Sequence, residues 1–251
     1  MRTRASNASA WPAEDRGTAP TATLGDHEIH VWVARLAAEE RDATRLCEEL
    51  SSSELATMRR FAGARDRRRY AASHVAVRRV LAPYLGVKPS AIGLEAGARG
   101  KPRVVGGAVH YSLSHSGAVA VIAVGRAHPV GIDVERVRAL PAAAALRFAC
   151  FTACERNHLD ALPGETELLR LWTRKEAVVK AIGDGLARPL GELEVLEPCA
   201  VPGWRIMDVA PAPGYVGAAV VPRAATRVVM RTLPRRNGAP GHGSAPGGCC
   251  G

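Results

Sequence analysis

At 251 residues the chain can hold one large domain or two of ordinary size, and with 47% hydrophobic residues it can build a real core. A net charge of +10, from 34 basic and 24 acidic residues, points to phosphate-rich ligands or acidic proteins, while 4% aromatic residues leave little to stack on bases and argue against nucleic acid. No apolar run reaches the roughly 20 residues needed to span a bilayer, and the start Met1-Arg2-Thr3-Arg4-Ala5-Ser6-Asn7 leads into no hydrophobic stretch, so neither a membrane nor a secretory signal is expected.

Residues 1–25, rich in Ala, Thr, Ser and Pro, read as a disordered tail. Ile29, Val31 and Val33 alternate as a strand does. Ala43 to Phe61 is helical, with a restart at the capping box Ser51-Ser52-Ser53-Glu54. Arg65 to Leu85 is a long helix stopped by Gly86, and it carries much of the positive charge. A loop with Gly97 and Gly100 precedes short strands at Val109–Leu113, Ala118–Val124 and Val130–Glu135. Thr152-Ala153-Cys154-Glu155 is a second capping box, before a short helix. Glu165 to Ile182 is a second long helix, ended by Gly183 and Gly185. Strands at Trp204–Val209, Val216–Val221 and Arg227–Thr232 follow, and residues 234–251 read as another tail. The pattern is α+β and occurs about twice, which suggests two similar halves meeting at a cleft, although no residue-level repeat is evident. Six cysteines with no Cys-x-x-Cys spacing are most simply reduced thiols of a cytoplasmic protein.

The chain has four lysines, and three of them, Lys101, Lys175 and Lys180, lie in two short polar stretches. Lysine is a compact charge that can release a proton, which arginine practically cannot, so these positions mark candidate ammonium chemistry. On a strand, Asp133 and Glu135 share a face while Ile132 and Val134 turn inward. Two adjacent hard carboxylates suit Mg²⁺, or else they are a solvated strand edge. Glu176 and Lys180 share a face of an otherwise apolar helix, as in a cleft where proton affinities are tuned, and Glu176 could be a third ligand or a general base. His115, between Ser114 and Ser116 before Gly117, suggests a phosphate pocket at a turn. Gly100-Lys101-Pro102 is not a P-loop, because Glu95 stands where the first glycine is needed. Two other readings are a Ser/His hydrolase and a non-catalytic basic protein that binds nucleic acid or nucleotides.

Together Gly131-Ile132-Asp133-Val134-Glu135, the run from Trp172 to Lys180, Gly100-Lys101-Pro102 and Ser114-His115-Ser116-Gly117 resemble the 4′-phosphopantetheinyl transferase superfamily, of the surfactin-synthetase-activating type. Arg59-Arg60-Phe61 fits as well. The resemblance implies a pseudo-dimer of two α+β halves, 26–128 and 129–233, each a small, mainly antiparallel sheet packed with helices, with the site between them. It implies transfer of the phosphopantetheine arm of coenzyme A to a serine of an apo acyl or peptidyl carrier protein, a monomer, and a place in secondary metabolism. By carry-over, Asp133, Glu135 and Glu176 hold Mg²⁺, Glu176 is the base, and Lys180 steadies the pyrophosphate. Lys101, Ser114 and His115 contact coenzyme A. The chain departs from the family pattern before Arg59, where Glu54 and Thr57 replace a usual basic residue, so Arg68 or Arg69 is expected to help His115 with the 3′-phosphate. Ser112 stands where asparagine is usual.

Overall fold

The computed structural model describes residues 24–36, 43–97, 100–183, 189–196 and 201–234. The two expected tails fall outside these, apart from residues 24, 25 and 234, as does Gly185.

Strand β1 (Glu28–Arg35) is buried on both faces, and this sets the layering. Trp32 and Ala34 enter a core built with α1 (Ala43–Glu49), α2 (Ser52–Arg59) and α3 (Ala64–Leu85). Ile29, Val31 and Val33 enter a second core on the opposite face. That core joins β5 (Val119–Gly125) to β6 (Gly131–Arg136) and β8 (Tyr215–Pro222). A third core packs Ala218 and Val220 of β8 under α5 (Ala153–Ala161) and α6 (Glu165–Ile182). The layers run helices, sheet, sheet, helices, as alternating inward positions of each strand require.

The first sheet has the order β4-β5-β1-β9, with β4 at His110–Ser116 and β9 at Arg227–Thr232. The second is β6-β8-β7, with β7 at Trp204–Val209. All neighbours are antiparallel except β1 and β9, which are parallel. The α+β class with small, mainly antiparallel sheets is thus the observed one. A separate hairpin of β2 (Leu94–Ala96) and β3 (Pro102–Val104) occupies the expected glycine loop, and α4 (Ala143–Cys150) precedes α5.

The halves repeat at residue level, which the sequence reading did not detect. Both capping boxes form: Ser51 accepts from the Glu54 amide and Glu54 accepts from Ser51, and Thr152 and Glu155 do the same. Each capping glutamate also meets a buried cation from the next long helix. Arg78 lies 2.7 Å from Glu54, and Lys175 lies 2.7 Å from Glu155. Each cation then donates to two carbonyls around a following 3₁₀ turn. For Arg78 these are Pro89 and Ile92; for Lys175 they are Leu190 and Leu193. Gly86 and Gly183, both at positive φ, stop the two long helices. Charge burial explains the recurrence: a desolvated cation needs a counter-ion and nearby carbonyl acceptors. Lys175 is therefore structural and stands apart from Lys101 and Lys180.

Candidate active site

The cleft is made where α6 crosses β6. A β-carbon at Gly131 would fall 1.9 Å from the Ala177 carbonyl oxygen and 2.6 Å from the Ala181 amide nitrogen, so only glycine lets the helix lie this close. The strand's alternation turns Ile132 and Val134 to the inter-sheet core and leaves Asp133 and Glu135 on the helix side. Asp133 Oδ1 accepts from Lys180 Nζ at 2.7 Å, which joins strand to helix. Glu176 and Lys180 line a cavity of about 260 Å³ with Lys101, Pro102, Leu113 and Gly183. Residues from both halves therefore share it.

Strand β4 runs on to Ser116, past the Leu113 end expected from sequence. Ser114-His115-Ser116 is strand rather than turn, because its backbone continues the ladder with β5, and its serine side chains reach β6. Ser112 Oγ accepts the Ile132 amide at 3.2 Å, Ser114 Oγ the Val134 amide at 3.3 Å, and Ser116 Oγ the Arg136 amide at 3.1 Å. Ser114 also donates to Asp133 Oδ1 at 2.6 Å and Ser116 to Glu135 Oε2 at 2.7 Å. Ser112 and Ser116 were not singled out from sequence as site residues, although period-two serines facing one strand were the available signal. With these hydroxyls bonded to carboxylates, neither serine is paired with His115 as a hydrolase would need.

Burial and neighbouring charge act on two of the acids. Burial raises the proton affinity of Glu176, Asp133 raises it further, and Glu135 adds to this against the opposing pull of Lys180. Asp133 is likewise held above the usual carboxylate range, first by burial, with Lys180 and Ser114 opposing. His115 is exposed, yet partial desolvation and then the charges of His74, Lys180 and Arg69 lower its proton affinity. His74, stacked on Tyr70 at 3.9 Å, is a neighbour that sequence reasoning missed. Arg68 lines a separate small cavity with Leu46, Cys47, Met58, Arg67 and Ala71. Lys101 reaches across to the Ala181 carbonyl at 3.0 Å and the Val130 carbonyl at 3.4 Å, and burial lowers its pKa to about 8.

Among the described residues no three His, Cys, Asp or Glu side chains stand close enough to hold a metal ion. The donor chemistry nevertheless fits one. Among the described residues no donor reaches Asp133 Oδ2 or Glu135 Oε1, while Oδ1 and Oε2 are taken by Ser114, Lys180, Ser116 and Arg138. Glu176 and Asp133, whose proton affinities are raised by burial and by neighbouring carboxylate charge, are what a hard divalent cation would relieve.

Two family models match consecutive stretches. Residues 37–127 match the N-terminal part of 4′-phosphopantetheinyl transferase, and residues 129–208 match the 4′-phosphopantetheinyl transferase superfamily. Among curated relatives, 4′-phosphopantetheinyl transferase HetI of Nostoc sp. is 35% identical over 80% of this chain and 91% of its own length. A 4′-phosphopantetheinyl transferase of Bacillus subtilis is 30% identical over 64% of this chain and 71% of its own. The transferase Sfp of Bacillus subtilis strain 168 is 30% identical over 55% and 62% respectively. No helix among the described residues is long and apolar enough to cross a membrane.

Proposed function

The chain belongs to the 4′-phosphopantetheinyl transferase superfamily and is an enzyme of that class, and on that premise we propose that it moves the 4′-phosphopantetheine arm of coenzyme A to a serine of an apo acyl or peptidyl carrier protein. The carrying observation is the Asp133–Lys180 pair at 2.7 Å with Glu176 in the same cleft, between halves supplied by distant stretches of chain.

The carrier serine oxygen attacks the phosphorus next to the pantetheine. The P–O bond to the second phosphate breaks, and adenosine 3′,5′-bisphosphate leaves. Glu176 takes the hydroxyl proton, directly or through water. Its raised proton affinity suits this, because a base is most effective when its pKa approaches the working pH. Lys180 offers a positive charge to the pyrophosphate and the leaving phosphate, and His115 with Arg68 or Arg69 serves the 3′-phosphate, Arg69 being the one whose charge already acts on His115. Lys101 borders the nucleotide. Asp133, Glu135 and Glu176 are the residues that would hold Mg²⁺. When bound, that ion supplies charge neutralisation on the pyrophosphate.

We take the halves as 26–128 and 129–233, a division supported by the change from one family match, over 37–127, to the other, over 129–208. We place the enzyme in the cytoplasm as a monomer serving carriers of secondary metabolism, without nucleic acid or membrane as partner. The basic balance would speed encounter with acidic carriers in a salt-dependent way.

The test is direct. Incubation with coenzyme A, Mg²⁺ and apo carrier proteins should add the mass of one phosphopantetheine to a carrier. Glu176→Gln and Asp133→Ala should lower that transfer by orders of magnitude in folded protein. Near-normal transfer by both variants would reject the residue roles.

A further inference from the structure

The second half's sheet ends at β6, which among the described residues has a backbone strand partner, β8, on one edge only. Ile132, Val134 and Arg136 are alternate residues, so their amides point to the other edge, where β4 lies. Where they are buried, as at Ile132 and Val134, such donors must be filled. They are filled by the hydroxyls of Ser112, Ser114 and Ser116, at 3.1 to 3.3 Å, so side chains of one half do the work of a missing strand.

A serine hydroxyl carries one proton and two lone pairs. Once Ser114 accepts from the Val134 amide, its proton is free to point elsewhere, and it points at Asp133 Oδ1. Ser116 repeats the unit two residues on, accepting from Arg136 and donating to Glu135 Oε2. Ser112 accepts from Ile132 but touches no carboxylate. Each acid is thereby held by one named oxygen, and among the described residues no donor reaches the other. Lys180 completes the hold on Asp133, and Arg138, 2.9 Å from Glu135 Oε2, completes the hold on Glu135.

We infer that Ser114 and Ser116 are positioning residues for the reaction: reaching over from the N-terminal half, they fix one oxygen each of Asp133 and Glu135 and present the other to a divalent cation. This rests on the transferase reading above and gives the serine motif a task other than contact with coenzyme A. It also gives Ser112 a purpose, as a fastener between the halves. Outer contacts that orient metal-binding side chains characteristically change affinity or rate about 10–100-fold when removed.

Ser112 supplies the control, since Ser112→Ala removes the same kind of inter-half bond without touching a carboxylate. Mg²⁺ affinity is measured by calorimetry on the full chain with coenzyme A and no carrier, and kcat and KM for coenzyme A are measured separately. Ser114→Ala should weaken Mg²⁺ about 10–100-fold and lower kcat by a similar factor, with KM for coenzyme A little changed. Ser116→Ala should do the same to a lesser degree, because Glu135 and its partner Arg138 are more exposed to solvent than Asp133. Ser112→Ala should lower the melting temperature and leave Mg²⁺ affinity alone. Ser114→Thr, which keeps the hydroxyl, should recover both affinity and kcat. Equal Mg²⁺ affinity in folded Ser112→Ala and Ser114→Ala, or no recovery in folded Ser114→Thr, overturns the assignment. Unaltered Mg²⁺ affinity and transfer in Asp133→Ala would instead overturn the transferase reading of the acids, a separable failure.

Discussion

Lys101 is the residue whose charge state the fold bends most visibly toward neutral pH. Burial lowers its pKa from the ordinary lysine value to about 8, while its amine still donates to the Ala181 and Val130 carbonyls. The sign follows from proton binding. Between about pH 8 and the unfolded value near 10.5 the unfolded chain holds a proton that the native chain does not, so this residue adds stability as pH rises through that window. Melting temperatures of the wild type relative to Lys101→Met should therefore climb over that range, and a flat difference would contradict the burial. Gly131 makes an equally local demand. An alanine there pushes α6 away from β6, and we expect overpacking to cost about 1–3 kcal/mol in urea unfolding and to depress transfer by displacing Glu176 and Lys180 together. Both glycine and lysine stand out in the sequence, but only the packing of the helix on the strand explains why each is needed.

At the scale of elements, the two capped helices and their buried cations are the repeated unit. Glu155 and Lys175 are both fully buried. Removing one partner strands the other, so Lys175→Met should destabilise by about 3–5 kcal/mol, while Lys175→Met with Glu155→Leu should cost clearly less. A double-mutant cycle by chemical denaturation measures the coupling. The same cycle on Arg78 and Glu54 should give coupling of the same sign, since the capping glutamate, the cation and the two turn carbonyls recur there. Both capping boxes were legible from spacing alone, because a Ser/Thr followed three residues later by Glu satisfies helix-end amides locally. Their second partners were not legible. Arg78 stands 24 residues from Glu54 and Lys175 lies on another helix from Glu155, so nothing short of packing brings them together.

At the scale of the whole molecule, the last strand ties the chain to its start. β9 lies parallel beside β1, where Arg227 reaches Glu28 at 3.2 Å and the Arg231 guanidinium lies 5.6 Å from the Trp32 ring centre. Ending the chain before Arg227 leaves an open edge on β1. Hydrogen exchange should then show faster exchange in β1 and β5 than in β6 and β8, and uniform protection would argue against the strap. The sequence by itself determined the long helices and their glycine stops, the strands as short β segments, the pairing of Asp133 with Glu135 on one face, and Glu176 with Lys180 on another. These follow from side-chain periodicity and end chemistry, which act within a few residues. Only the tertiary structure decided that β9 joins the first sheet, that β4 serines replace a missing strand beside β6, and that Lys175 is buried scaffold rather than cleft. Those outcomes depend on which distant groups meet and on the cost of burying a donor or a charge unpaired, and a linear pattern carries neither.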